Sequence, residues 1–370
     1  MPSLRGLIPA LLPALALFAQ GLENPGISLR TGKEVYEAAC VACHGPQGRG
    51  MPRTTIGFKP PDSFPDFSRC DQTTVEMNTD WKAVIRNGGP FRGFSQIMPS
   101  FRDALTDQQI DKVIGYLRGF CREPDWPRGE LNVPRALVTE KAYPEDEAVV
   151  TSAANVRGAP GVANDIVYER SFFKVNELEV DVPVDVQHDN RTWYGGFGDT
   201  SVGLKRILFD SLPRGSIFSA QGSVILPSGS KTHGLGAGTT EFETFVAYDQ
   251  LLSKWSFIQF QGGADLPVNT SVAPRATFWN TAVGTSFLQG GGLGRMWTPM
   301  FEFVATRDLV DKASTDWDVI PEMQVTLSRR QHIRADLGVR VPVSNTAGRP
   351  VQLMFYILWD WQDGKLTEGW

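Results

Sequence analysis

The chain is poor in the residues that most often carry chemistry: its 370 residues include four cysteines and four histidines. Four cysteines allow one paired motif and one bridge, and they exclude a disulfide-dense scaffold. Basic runs are absent and the net charge is −5, so nothing points to nucleic-acid binding. Long apolar runs are also scarce. The longest, residues 6–19, follows a lone charge at Arg5 and is broken by Pro9 and Pro13. It is too short to form a stable bilayer-spanning helix and fits a secretory signal over residues 1–20, with a retained lipid-facing anchor as the other reading. Beyond it no stretch approaches the length of a transmembrane helix. The length leaves room for two domains, and 37 glycines with 11% aromatics suit a β-rich portion.

Two of the cysteines stand together in Cys40-Val41-Ala42-Cys43-His44. This is the C-x-x-C-H spacing of c-type haem attachment. Each thiolate can add to one haem vinyl group, and His44 then reaches the iron from one face. A bare C-x-x-C could be a redox dithiol or half a zinc site; the adjoining histidine weighs against both. Residues 31–39 before the motif have helical spacing, with Val35, Tyr36 and Ala39 on one side. Gly45-Pro46-Gln47-Gly48-Arg49-Gly50 after it is a turn-forming run. Further on, Gly88-Gly89-Pro90 leads to Met98-Pro99-Ser100-Phe101. Residues 105–118 then read as an amphipathic helix, with Thr106 as N-cap, Gln109 at the capping-box position, and Ile110, Val113, Ile114 and Leu117 on one face.

Together these residues resemble a class I cytochrome c over about residues 30–122. The resemblance implies an all-α domain at 28–122, one covalent haem c, and Met98 as the distal ligand opposite His44. Met51 and Met77 are the competing methionines; they lie in polar stretches and lack the Met-Pro-x-Phe setting. His/Met ligation raises the potential and fills both axial positions, so an electron carrier and not an enzyme is expected. Haem is attached in this way outside the cytoplasm, where disulfides persist. A bridge between Cys70 and Cys121 would close a loop of about fifty residues and stabilise by ~4 kcal/mol on the chain-entropy model. Two buried free thiols are the alternative. No cysteines remain for a second haem.

Residues 123–147 are rich in proline and turn formers and read as a linker, extended or ordered by contact. Over 148–370 the periodicity becomes two. Phe218, Ala220, Gly222 and Val224 alternate with Ser219, Gln221 and Ser223; Trp297, Pro299, Phe301 and Phe303 alternate with Thr298, Met300 and Glu302. Such runs of ~10 residues suit tilted transmembrane β-strands. Connections near residues 174–177, 211–215, 252–254, 288–295 and 329–331 are short. Those at 228–240, 262–274, 307–316 and 344–349 are longer. Short turns on one side and long loops on the other characterise outer-membrane barrels. Eleven strands can be traced from Ile166 to Trp361, and residues 148–154 supply a twelfth. The expected fold is therefore an antiparallel, about 12-stranded transmembrane β-barrel after the cytochrome domain. A soluble β-sandwich is the competing fold. Glu177, Glu179, Asp181, Asp185, Arg334, Asp336 and Arg340 would face the lumen. His188, His233 and His332 read as loop or lumen residues.

The glycines and turns of residues 196–205 and 224–229 resemble the outer-membrane proteins associated with the meta pathway of phenol degradation. The whole layout is similar to the fused cytochrome–porins of iron-oxidising bacteria, whose barrels are larger. Two functions follow as expectations: electron transfer at or across the outer membrane, or a solute channel with an accessory periplasmic cytochrome. The implied partners are periplasmic redox proteins or an extracellular electron donor or acceptor, together with outer-membrane lipid. The haem domain would lie on the periplasmic side or in the lumen. A soluble β-domain docking a periplasmic redox enzyme is a third reading.

Overall fold

The computed structural model describes residues 29–123, 125–189, 191–288 and 295–370. The expected signal segment, and most of the expected short turn at 288–295, lie outside the described residues. The first part of the chain is a small helical domain: α1 Gly32–Ala39, α2 Val41–His44, α3 Cys70–Thr73, α4 Asn78–Asn87 and α5 Asp107–Arg118. The helix start expected at Thr106 is capped as the sequence indicates, in a capping box with Gln109, and a second capping box, of Thr31 and Glu34, stands at the start of α1. Val35 and Tyr36 of α1, Ile85 of α4, and Ile110, Val113, Ile114 and Leu117 of α5 close over a common core. Cys70 and Cys121 are joined by a disulfide with a Cα–Cα distance of 5.1 Å, which ties α3 to the chain just after α5.

The remainder is one antiparallel sheet: β1 Glu147–Arg157, β2 Gly161–Phe172, β3 Asn176–Asp189, β4 Thr192–Phe197, β5 Ser201–Ser211, β6 Ser216–Ile225, β7 Glu241–Leu251, β8 Ser256–Pro267, β9 Ala276–Thr285, β10 Phe287–Leu288, β11 Met296–Asp308, β12 Asp316–Thr326, β13 Ile333–Pro342 and β14 Val351–Asp360. β4 and β5 both pair with β3 and form one interrupted wall strand. β10 likewise prolongs β9 along β11. The wall therefore has twelve strands. β14 pairs back onto β1, with Val149 opposite Leu358 and Ala153 opposite Met354, and closes the ring. Closure leaves no unpaired edge, which a sandwich would have. The alternation runs in the barrel sense. Leu337, Phe303, Phe355 and Ile357 project outward and are exposed, while Gln221, Glu302, Gln324 and Asp336 are buried within. Chain entry at Glu147 and chain exit at Asp360 are opposite each other, so both lie at the end of the barrel that carries the short turns.

The expected linker takes a different form. Residues 131–147 are mostly buried, because they enter the lumen and return. A stretch broken by prolines makes neither ladder nor helix, so its amides need other partners. Inward wall side chains supply them. Glu322 accepts from Leu137 N at 3.1 Å; Glu302 accepts from Val138 N at 3.0 Å and Thr139 N at 2.6 Å; Gln261 accepts from Glu140 N at 3.2 Å; Asp249 accepts from Ala142 N at 2.8 Å. In the other direction, Gln259 Nε2 donates to the Pro134 carbonyl, and Gln324 Nε2 and Tyr356 OH donate to that of Arg135. Arg135 itself pairs with Glu140, Glu147 and Glu169 at 2.8–3.1 Å. Lys205 of β5 pairs with Glu177 of β3 at 2.8 Å. The segment is a plug, seated from the short-turn mouth to about mid-barrel.

Candidate haem site

Cys40 lies between α1 and α2, and Cys43 and His44 complete the turn that follows it. Backbone bonds from Cys43 N and His44 N to the Cys40 carbonyl, at 3.2 and 3.0 Å, make the motif one helical turn. Both thiols are free and half-buried. The chain then folds back: Gly50 N donates to the His44 carbonyl at 2.8 Å, and Met51 N to that of Cys43 at 3.1 Å. Gly45 makes this reversal at φ 70°, and a Cβ there would lie 2.5 Å from the Gly50 carbonyl oxygen. The Tyr36 hydroxyl fixes the turn from the core side by donating to the Gly45 carbonyl at 2.6 Å.

The imidazole of His44 stacks on Phe64, with centroids 5.0 Å apart, and leans on Phe67 at 5.1 Å. Burial lowers its pKa to about 4. The ring is thus neutral at physiological pH, the form that ligates a metal, and its Nδ1 is buried without a hydrogen-bond partner. Burial, then the neighbouring Cys43, pushes the Cys40 thiol up to about 11. Redox-active dithiols have lowered pKa values, so this environment does not suit one. A zinc site also lacks support: among the described residues, no cluster of three metal-ligating side chains includes Cys40, Cys43 or His44.

Met98 packs on the same core as Cys40 and Val41, with Trp81 and Phe101. It closes a loop in which Gly89 N donates to the Met98 carbonyl at 3.0 Å and Met98 N to that of Ser95 at 3.3 Å. Two free thiols on one turn, a neutral histidine beside them and a thioether on the same core make a donor set suited to haem c. Met77 stands just before α4, and Met51 is held in the turn after the motif.

The plug contacts have no signature in the local sequence. Carboxylate oxygens of Glu140, Glu169 and Glu179 lie within 4.8 Å of one another, and the Arg135 guanidinium pairs with the first two. Residues 131–147 carry no periodic pattern, so only the unusual density of charge at Arg135, Glu140, Lys141, Glu145, Asp146 and Glu147 hinted at partners. His332 is buried in the turn between β12 and β13, where Ser328 Oγ and the Lys365 carbonyl lie 2.9 and 3.1 Å from its ring nitrogens.

Comparison with known proteins separates the two halves. The family model of cytochrome c oxidase, cbb3-type, subunit III matches residues 28–117. Cytochrome c-555 of Prosthecochloris aestuarii is 32% identical over 91 residues, which are 24% of this chain and 84% of that protein. Cytochrome c-554(547) of Halothiobacillus neapolitanus is 28% identical over 86 residues, 23% of this chain and 89% of the relative. Among solved structures, an outer membrane channel from Pseudomonas putida F1 covers 61% of this chain and 99% of its own, with a TM-score of 0.42 and 11% identity. A KdgM porin covers 58% and 98%, with a TM-score of 0.39 and 8% identity. Through its N-terminal domain the chain belongs to the c-type cytochromes, and the rest of it is a closed twelve-stranded antiparallel barrel.

Proposed function

We propose that the protein is an electron carrier anchored in the outer membrane, with its haem held at the periplasmic mouth of a plugged barrel. Cys40 and Cys43 would hold one haem c through thioethers, His44 would be the proximal ligand and Met98 the distal one. The haem supplies a one-electron couple. The surrounding residues keep the imidazole neutral and hold the methionine loop closed, and with His44 and Met98 both bound the haem would have no position open to a substrate. The outward belt of Leu337, Phe303, Phe355 and Ile357 on a closed ring is the surface that lipid would cover. In outer-membrane barrels the short turns face the periplasm, and here the cytochrome domain lies at the short-turn end. Its electron partners are therefore periplasmic redox proteins.

The observation that carries this reading is the C-x-x-C-H turn packed on the same core as Met98, in a domain docked on that mouth. The plug weighs against the solute-channel alternative, because the segment 131–147 occupies the path a solute would take. A visible spectrum of the detergent-extracted protein tests the assignment. The reduced protein should show a c-type spectrum, and the oxidised protein a methionine-to-iron charge-transfer band that Met98→Ala abolishes. Absence of that band in the parent, with ready carbon monoxide binding, would leave the sixth position open and sink the closed-carrier reading. Planar-bilayer recordings address the alternative: large steady conductance in the intact protein would restore the channel.

A further inference from the structure

We infer that Arg330, in the barrel turn between β12 and β13, is a positioning residue for the haem's distal ligand. It clamps the apex of the loop whose base presents Met98. The inference rests on Met98 being that ligand.

The loop begins at Gly88 and folds through the tight turn Gly89–Arg92. Its base is closed by the Gly89–Met98 backbone bond, and Phe94 N donates to the Gly89 carbonyl at 2.9 Å. Its apex, Gly93 and Phe94, leaves the cytochrome domain and meets the barrel. Arg330 donates to the Gly93 carbonyl from Nε at 3.3 Å and from Nη2 at 3.2 Å. The guanidinium carbon lies 4.6 Å from the centre of the Phe94 ring, within cation–π range. Its remaining nitrogen, Nη1, is anchored by Glu368 at 3.0 Å, and the side chain is only 9% exposed. One planar fork thus holds a carbonyl, an aromatic face and a carboxylate at once, which a lysine cannot reproduce.

Backbone packing around this contact is equally close. Gly93 adopts φ 67°, and a Cβ on it would sit 2.7 Å from the Gly369 Cα. Gly369, at φ 70°, lies in turn against the Arg330 side chain, where its own Cβ would come within 2.6 Å of Cγ. Arg329 N donates to the Gly369 carbonyl at 2.6 Å. The C-terminal tail is therefore wedged between the barrel turn and the methionine loop. Gly93 stands only five residues before Met98, in a loop crossed by its own backbone bonds, so the position of the apex bears on that of the thioether. In a free cytochrome of this kind the loop would be held by its own domain alone. Here the barrel adds a second hold.

The test uses the full-length haem-loaded protein in detergent, as parent, Arg330→Ala and Arg330→Lys. Three quantities are read: the charge-transfer band of the oxidised form, the reduction potential, and carbon monoxide binding to the reduced form. By releasing the loop apex, Arg330→Ala should weaken methionine binding in both oxidation states, diminishing the charge-transfer band, and by about tenfold more in the reduced form. For a one-electron couple a tenfold difference lowers the potential by about 59 mV. Carbon monoxide should bind correspondingly better, and Arg330→Lys should recover part of each change. An alanine variant with the parent's band, potential and carbon monoxide binding overturns the inference. If Arg330→Ala does not accumulate, Glu368→Gln frees the guanidinium without touching the haem domain. It must then shift all three quantities in the same direction, and no shift overturns the inference equally. A parent that lacks the band, unchanged by Met98→Ala, removes the ligand assignment and the inference with it. That failure is distinguishable because in the first case the parent's band is present.

Discussion

Replacing Arg135 by alanine should loosen the plug without opening the barrel. Arg135 pairs with the carboxylates of Glu147, where β1 begins, and Glu169 on β2, both 0% exposed, at 3.1 and 2.8 Å. Breaking a buried pair by removing one partner costs about 3–5 kcal/mol, because the stranded charge stays buried. Against this stand the hydrogen bonds from Leu137, Val138, Thr139, Glu140 and Ala142 to the wall, and those that the Pro134 and Arg135 carbonyls accept. At ~1 kcal/mol each, and more where the partner is a carboxylate, they exceed the loss. The plug stays seated, but its open population rises. At a factor of ten per 1.4 kcal/mol, the expected increase is roughly a hundred- to a few-thousand-fold. Hydrogen exchange read by mass spectrometry measures this directly: the amides of residues 137–145 should exchange faster by that factor. Those of β6 and β7, which do not touch Arg135, should be unchanged. Equal protection of the plug amides in variant and parent would refute the reasoning, as would full exchange of those amides in the parent, which would mean the plug is not seated at all.

Other consequences are testable alongside it. Replacing Cys70 and Cys121 by serine removes a cross-link with a sequence separation of 51, and the chain-entropy model puts the loss at about 4 kcal/mol. Denaturant unfolding of the haem domain, followed at the Soret band, should show a correspondingly lower midpoint. Leu337→Arg places a charge on an outward position that is 53% exposed; near mid-strand in lipid it should destabilise the barrel by about 2–4 kcal/mol in vesicle refolding titrations. At the seam between the domains, Glu76 shares a hydrogen bond with Asp363, and burial, with Asp80 adding its charge, raises the Glu76 pKa to about 6. Asp360, Arg92 and Arg334 also face the pair. A carboxyl raised in the folded state gives stability that is complete below its unfolded value and lost as pH climbs through about 6. Docking of the cytochrome should therefore be firmer at pH 5 than at pH 7.5, measured by protection of the α3–α4 loop, and Glu76→Gln should flatten that dependence.

The parts legible in the sequence are those fixed by local rules. C-x-x-C-H is a covalent requirement written in adjacent positions. The capping box at Thr106 and Gln109 needs only a helix start, and the alternation through Glu302 or Gln324 follows from the pleat. The strand count could be reached for the same reason, although β1 runs further than residues 148–154 and β2 begins at Gly161, before Ile166. The plug has no local signature because most of its amide partners are side chains on strands more than a hundred residues away. A proline-rich stretch reads alike whether it faces water or a ring of carboxylates. Arg330 likewise stands in the sequence as one arginine in a short turn, and its role depends on the methionine loop set against it.

Because the plug is seated, the haem domain has little freedom to travel. Nine residue steps separate Arg122, just after α5, from Leu131, a fully enclosed residue of the plug. Fully extended, they reach about 30 Å, and even this span is drawn in where Gly129 N bonds the Thr74 carbonyl at 2.7 Å. A soluble cytochrome diffuses between distant partners; under the proposed outer-membrane anchoring, this one would be confined to a small hemisphere at the mouth of the barrel. Each partner would then have to travel to it.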